Sequence, residues 1–231
     1  MQIAAFQKLT LLDFPGTMAC ILFTNGCNFR CPFCHNKDLV LPGEESVFVD
    51  ENEILDYLGK RKGILEGVNI TGGEPMLHND LPELLVKIRA LGYKIKVDTN
   101  GTRPEMLKSL VENGLVDYIA MDIKNAPEAY PETIGLPKVD LDAICASKTY
   151  LMEAGIPYEF RTTVVKGLHD CEKLIEIAKW IAGAGAYFLQ SYTDSGHVLS
   201  PDGLSAFSED EMRAFAEAIK PYVPSVCIRG I

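Results

Sequence analysis

The sequence is poor in the features that direct a chain to a membrane, to nucleic acid or out of the cell. None of its apolar runs approaches the roughly 18 residues that a membrane-spanning helix needs. Its N-terminus lacks the basic start and the long apolar core of a signal peptide. Acidic residues outnumber basic ones by 32 to 22, and the resulting net charge of −10 disfavours contacts with nucleic-acid phosphates. These absences predict a cytoplasmic protein that binds neither nucleic acid nor a membrane.

The 231 residues also contain no low-complexity linker, and their hydrophobic share of 47% is that of an ordinary globular protein. Strand and helix patterns alternate with short connections, which favours parallel βα units. The predicted strands lie at residues 19–24, 68–71, 93–97, 118–121, 158–165 and 187–189, with a further short strand at 225–228. A closed barrel of such units needs eight repeats and about 250 residues. The sequence therefore predicts an α/β fold with one domain, residues 1–231, built as a partial (β/α)6 TIM-type barrel.

Three predicted helices begin at an acceptor side chain that is followed by a glutamate three residues later. The pairs are Asp50 with Glu53, Asp80 with Glu83, and Ser208 with Glu211. Each pair matches the capping box, in which the two side chains accept hydrogen bonds from each other's backbone amides. We therefore expect a capped helix to begin at each of these three points.

Cysteine is scarce outside one short segment. Four cysteines, Cys20, Cys145, Cys171 and Cys227, lie far apart and lack the paired spacing of a zinc site or of a second iron–sulfur cluster. The other three stand within eight residues, Cys27-Asn28-Phe29-Arg30-Cys31-Pro32-Phe33-Cys34, on the loop after the first predicted parallel strand. Three thiolates can hold a four-iron cluster by three of its irons. The fourth iron is then open to a substrate.

Two simpler interpretations of these cysteines stay open. A structural zinc ion needs four ligands, usually in two separated pairs, and His35 adjoins Cys34 too closely to reach the same ion easily. Inert buried thiols prefer apolar neighbours, whereas this loop carries Asn28, Arg30 and Asn36. The pattern favours the cluster.

The cysteine spacing resembles the signature of the radical S-adenosylmethionine enzymes. The resemblance covers nearly the whole chain, from Leu12-Asp13-Phe14-Pro15-Gly16 to the polar segments that follow the predicted strands. Within that family the chain is most similar to glycyl-radical activating enzymes, first to those of anaerobic ribonucleoside-triphosphate reductase and then to those of pyruvate formate-lyase. The resemblance implies one [4Fe–4S] cluster on Cys27, Cys31 and Cys34, S-adenosylmethionine on its open iron, and Phe33 among the cofactor-binding residues.

Polar segments at the ends of successive strands complete the implied site. In the family, the segment that corresponds to Gly72-Gly73-Glu74-Pro75 meets the amino group of the cofactor, and paired glycines allow a close approach to the backbone. The glycyl-radical activating enzymes have segments similar to Asp98-Thr99-Asn100-Gly101 and Asp122-Ile123-Lys124, and there the two carboxylates hold a monovalent cation beside the carboxylate of the cofactor. The resemblance thus assigns cofactor binding to Gly72, Gly73, Glu74, Asp98, Thr99, Asp122, Lys124 and Arg161. The structural alternative is an Asp122–Lys124 ion pair with Asp98 in a turn.

Other polar residues carry no assigned role. His78, His169 and His197 stand in predicted loops and are interpreted as surface residues. Tyr192 stands near a position where the pyruvate formate-lyase activator has a histidine, so its contribution is left open.

The implied activity is an oxidoreductase reaction on a protein. In the family, reductive cleavage of S-adenosylmethionine gives a 5′-deoxyadenosyl radical, which takes a hydrogen atom from a glycine of a partner glycyl-radical enzyme. The electron would come from a flavodoxin or a ferredoxin-type donor, and the basic residues Arg30, Lys37, Arg61 and Lys62 are either its docking patch or ordinary surface charge. The alternative is a small-molecule enzyme such as a 7-carboxy-7-deazaguanine synthase, which also uses a short barrel.

Overall fold

The structure, a computed structural model, describes residues 1–41, 43, 47–194 and 196–231. The strands are β1 Ile3–Thr10, β2 Ala19–Thr24, β3 Gly67–Gly72, β4 Lys94–Thr99, β5 Tyr118–Asp122, β6 Tyr158–Val164, β7 Tyr187–Ser191 and β8 Val226–Arg229. The α-helices are α1 Lys37–Val40, α2 Glu51–Lys60, α3 Leu81–Ala90, α4 Pro104–Glu112, α5 Tyr130–Thr133, α6 Leu141–Glu153, α7 Cys171–Trp180 and α8 Glu209–Ile219. Two short 3-10 helices lie at Pro75–Leu77 and Pro127–Ala129. No helix among the described residues is long and apolar enough to cross a bilayer.

The strands form one sheet in chain order, from β1 at one edge to β8 at the other. Strands β2 to β8 are all parallel, and helices connect each to the next, so six βα repeats precede β8. The parallel strands β2 to β5 are largely buried because helices cover one face and the barrel interior the other. Within the described residues β1 and β8 do not pair with each other, so the barrel stays open. The predicted partial barrel is confirmed.

Strand β1 was missed by the sequence analysis, which considered residues 1–6 only as a possible signal peptide. It runs antiparallel to β2 and buries Ile3 and Thr10 at its two ends. The Val49 amide donates a hydrogen bond of 2.8 Å to the Ile3 carbonyl. The short apolar run from Ile3 to Phe6 is the signal that could have identified it. The short strand predicted at 225–228 is confirmed as β8.

The three predicted capping boxes have different outcomes. The box of Ser208 and Glu211 is confirmed, since each side chain accepts a hydrogen bond from the other's amide. Asp50 caps α2 by accepting from the Asn52 amide. The prediction for Asp80 was wrong, because its carboxylate makes no cap bond and instead pairs with the amino group of Met1 at 2.7 Å. The undetected first strand brings the N-terminus to this position.

We expect Ile3→Ala to lower the free energy of unfolding by about 2–4 kcal/mol, because it leaves a cavity where the edge strand meets the core. The matched control is Leu12→Ala, since Leu12 is 89% exposed and its truncation should change stability by less than about 0.5 kcal/mol. Urea denaturation of the metal-free protein measures both values. Equal effects of the two changes would contradict the placement of β1.

Candidate active site

All twelve site residues named from the sequence lie around one cavity at the carboxyl ends of the parallel strands. The cavity has a volume of about 240 Å³. The predicted residues in its wall are Cys27, Cys31, Phe33, Cys34, Gly72, Gly73, Glu74, Asp98, Thr99, Asp122, Lys124 and Arg161. Eight further residues line the cavity and were not predicted as site residues: Phe29, His35, Asn36, Val40, Thr71, Asn100, Thr163 and Gln190. Parallel strands end at the same rim, so segments distant in sequence meet there.

Backbone hydrogen bonds hold the cysteine loop to the barrel rim along its length. The Glu74 amide donates to the Gly26 carbonyl at 2.8 Å, and the Arg30 amide donates to the Ile134 carbonyl at 2.8 Å. At the far end of the loop, the Leu199 amide donates to the Cys34 carbonyl at 3.0 Å. The loop is therefore tied to several strand-end segments.

The glycine pair after β3 serves this attachment directly. A Cβ atom on Gly73 would stand 1.9 Å from the Gly26 carbonyl oxygen, and one on Gly72 would stand 2.3 Å from the Thr24 nitrogen. Gly72 also has a φ of 119°, which side-chain-bearing residues rarely adopt. A close approach of the ligand to these glycines stays a prediction. In the structure Gly73 also allows the cysteine loop to approach the end of β3, and Gly72 allows β3 to lie close to Thr24 of β2.

The three loop cysteines have the chemistry that a cluster requires. All seven cysteines are free thiols, and Cys31 is buried while Cys27 and Cys34 are partly buried. Burial raises the pKa of Cys27 to about 11 and that of Cys31 to about 12. Both are therefore protonated thiols at neutral pH, and iron binding must release their protons.

The grouping of these thiols suits several irons better than one ion. In the described part of the chain, no three histidine, cysteine or acidic side chains are gathered as ligands of a single metal ion. In a four-iron cluster each thiolate ligates a different iron, so the three sulfurs need not converge on a single point. The donor set therefore fits the [4Fe–4S] cluster.

A network of ion pairs occupies the wall opposite the cysteines. The Arg161 guanidinium bridges the two strand-end carboxylates, with Nε 2.8 Å from Asp122 Oδ1 and Nη1 3.2 Å from Asp98 Oδ2. Lys124 Nζ lies 3.0 Å from Asp122 Oδ2, which is the ion pair that the sequence offered as the alternative to cofactor binding. On the other carboxylate, Lys96 Nζ contacts Asp98 Oδ1. Burial by itself would raise the pKa of Asp122, but Arg161 and Lys124 outweigh it and lower that pKa to about 2. The carboxylate is ionised throughout the physiological range.

Glu74 joins two strand ends through its carboxylate. The side chain is buried and accepts hydrogen bonds from the Met76 amide, the Thr99 hydroxyl and the Asn100 amide, at 3.1, 2.8 and 2.7 Å. Burial raises the pKa of Glu74 to about 7, although these three donors favour the charged form. The side chains of Glu74 and Thr99 thus brace the segments after β3 and β4.

His169 is not the surface residue that the sequence predicted. It is buried, its Nδ1 accepts a hydrogen bond from the Val165 amide at 3.1 Å, and its Nε2 lies 2.9 Å from the Lys124 carbonyl. Since burial lowers its pKa, the neutral ring carries its proton on Nε2 and donates it to that carbonyl. His169 therefore positions Lys124, and no sequence signal links two residues so far apart.

Two further residues lie near the site. Lys96 was not identified from the sequence, and the role of Tyr192 was left open. Lys96 and Asp98 share a strand face because side chains alternate in β4, and this alternation could have revealed the pair. Tyr192 is buried, with its ring centroid 5.7 Å from that of His35. Its hydroxyl has no hydrogen-bond partner within the described residues.

Comparison with known proteins agrees with this geometry. The family model described as the Radical SAM superfamily matches residues 21–181. A Methanocaldococcus jannaschii protein, provisionally named a glycyl-radical enzyme activating enzyme, is 28% identical over 99% of this chain and 96% of its own length. The pyruvate formate-lyase-activating enzyme of Staphylococcus epidermidis is 31% identical over 76% of this chain and 73% of its own.

Proteins with other activities are similar as well. GTP 3′,8-cyclase of Aquifex aeolicus is 29% identical over 88% of this chain and 65% of its own length. Among solved structures, Streptococcus suis SuiB bound to S-adenosylmethionine superposes with a TM-score of 0.68 at 18% identity. That match covers 91% of this chain but 52% of SuiB, and it shows the shared fold.

We expect Gly73→Ala to reduce the iron content of the reconstituted protein strongly, because the added methyl group forces the cysteine loop away from β3. Gly59→Ala is the matched control, since a Cβ atom on this helical glycine meets nothing within 4 Å. The control should keep full iron content and gain up to about 1 kcal/mol of stability. Iron analysis and urea denaturation measure the two effects. Full iron loading of Gly73→Ala would contradict the role of this contact.

Proposed function

This chain belongs to the radical SAM superfamily, and we propose that it is an activating enzyme that generates a glycyl radical on a partner protein. The observation that carries the proposal is the extent of the match with the provisionally named activating enzyme of Methanocaldococcus jannaschii. The match includes 99% of this chain, so it continues past residue 181 into the last two strands and helix α8. The similarity therefore extends beyond the segments that hold the cluster.

The proposed roles of the residues follow from their places in the cavity wall. Cys27, Cys31 and Cys34 would hold the cluster, while the backbone at Gly73 and the side chains of Lys124 and Arg161 would hold S-adenosylmethionine. When bound, the reduced cluster and S-adenosylmethionine supply a 5′-deoxyadenosyl radical able to take a hydrogen atom from carbon. The protein orients these groups and keeps water away from them.

The open barrel supports a protein substrate. Within the described residues β1 and β8 are the two edges of the sheet and do not pair with each other. The open side can admit a glycine loop of a glycyl-radical enzyme, which would close the site itself. The partner that we propose is an anaerobic ribonucleotide reductase or an enzyme of the pyruvate formate-lyase type.

We also propose a flavodoxin or a ferredoxin-type protein as electron donor, docking near the cysteine loop. Arg30 of this loop donates two hydrogen bonds of 2.7 Å to the carbonyls of Cys27 and Phe29, so its charge lies close to the cluster ligands. We propose in addition that the protein is cytoplasmic and does not bind nucleic acid. The net charge of −10 supports the second of these two statements.

The proposed function is tested by locating the radical. The reconstituted, reduced protein is incubated without oxygen with S-adenosylmethionine and a candidate glycyl-radical enzyme, and the two proteins are then separated. We expect a glycyl radical in the electron paramagnetic resonance spectrum of the partner after this separation. Rapid turnover of a pterin or nucleotide substrate, with no radical on any protein, would favour a small-molecule enzyme of the deazaguanine-synthase or cyclase kind.

The cluster assignment has a separate test in single cysteine variants. We expect Cys27→Ala, Cys31→Ala and Cys34→Ala each to abolish the iron-dependent absorbance, because a cluster with two protein ligands is not retained. Cys145→Ala and Cys171→Ala should keep about four irons per chain, since neither residue lines the cavity. Stoichiometric zinc without iron in the wild-type protein would contradict the assignment.

A further inference from the structure

The two strand-end carboxylates of the cavity are fully engaged by side chains of the protein. Asp98 and Asp122 together have four carboxylate oxygens, and each of the four contacts a cationic group of Lys96, Lys124 or Arg161. A monovalent metal ion between these carboxylates, as the family resemblance implies, would add a fourth positive charge beside those of Lys96, Lys124 and Arg161. The residues that are present therefore do not fit a bound ion at this place.

The charges of this cluster do not cancel. Three cations face two carboxylates, which leaves one positive charge in excess. The neighbouring acid Glu159 does not offset it, because Glu159 accepts two hydrogen bonds from Arg229 at 2.7 and 2.8 Å. Glu74 forms no ion pair with these cations within the described residues, and its carboxylate accepts hydrogen bonds from Thr99 and Asn100. A buried charge without a counterion is destabilising, so the cluster is suited to receive an anionic group.

The surplus charge can be traced to Lys96. Arg161 and Lys124 line the cavity, whereas Lys96 lies behind Asp98 and is 1% exposed. Its Nζ atom contacts Asp98 Oδ1 and lies 3.4 Å from Asn69 Oδ1. By neutralising Asp98 from behind, Lys96 leaves the charge of Arg161 available on the cavity side.

Asn69 gives a second, independent indication that donors are in excess here. Its side chain is buried, and its Nδ2 atom has no hydrogen-bond partner within the described residues. Buried amide groups are almost always satisfied, so an unpaired one beside Lys96 shows that donors outnumber acceptors in this part of β3 and β4. A surplus cation and an unpaired donor thus occupy adjacent positions on β3 and β4, where Asn69 pairs in register with Lys96.

We propose that the ammonium group of Lys96 supplies the positive charge that a bound metal ion would otherwise provide at this site. Lys96 acts through Asp98, so the carboxylate of S-adenosylmethionine is held by charged side chains of the protein alone. Lys96 is a positioning residue, since it does not line the cavity. Binding of the cofactor should then be independent of monovalent metal ions. The inference concerns the cofactor site of a radical SAM enzyme and holds whether the final substrate is a protein or a small molecule.

The test measures cofactor affinity rather than turnover. The dissociation constant of S-adenosylmethionine is determined by calorimetry on the cluster-loaded protein, in choline chloride and in potassium chloride of equal ionic strength. The wild-type value should agree between the two salts within about twofold. Lys96→Met should weaken binding about tenfold in choline chloride, because the positive charge behind Asp98 is lost. Potassium or methylammonium ions should restore most of that loss.

Lys94→Met is the matched control, because Lys94 is exposed on the same strand. It should bind the cofactor like the wild type in both salts. A wild-type protein that needs potassium for tight binding would overturn the proposal, and this measurement requires no variant. Unchanged affinity of Lys96→Met in choline, or a loss that neither cation restores, would overturn it as well. If Lys96→Met does not fold, Lys96→Gln takes its place in the same titration.

Discussion

The close approach of the cysteine loop to the end of β3 is the contact on which the rest of the site depends. Gly26 and Gly73 meet backbone to backbone, at a separation that leaves no space for a Cβ atom on Gly73. This contact sets the cysteines of one strand-end loop beside the polar ends of β4, β5 and β6. The open iron of a cluster and the charged groups that we propose to hold the cofactor would share one cavity, and this contact brings their ligands together.

The opposite wall of the cavity is organised by charge. Arg161 links the ends of β4 and β5 through Asp98 and Asp122, and Lys96 adds a further cation behind Asp98. Buried carboxylates need partners, and here the protein supplies them as side chains. The wall therefore holds its charges in place before any ligand binds, and the cofactor does not have to order them.

The sequence predicted the architecture and the site residues because both leave short, local patterns. The strand at 118–121 and the helix that Ser208 caps are confirmed in β5 and α8, and the three cysteines of the loop do line the cavity. Contacts between distant segments left no such pattern. Asp80 resembled a helix cap but pairs with the amino group of Met1, and His169 resembled a surface loop residue but supports the Lys124 carbonyl. The pairing of Arg161 with Asp98 and Asp122 depends on strand order, which a single sequence does not contain.

The central claim is that this radical SAM protein takes a hydrogen atom from a glycine of another protein. The most direct test of this claim follows the hydrogen atom that leaves the glycine of the partner. The candidate partner is prepared with glycine deuterated at the α-carbon, and the 5′-deoxyadenosine released during activation is analysed by mass spectrometry. The account predicts 5′-deoxyadenosine that carries one deuterium atom from the partner. Unlabelled 5′-deoxyadenosine, or deuterium acquired only from a labelled small substrate, would contradict it.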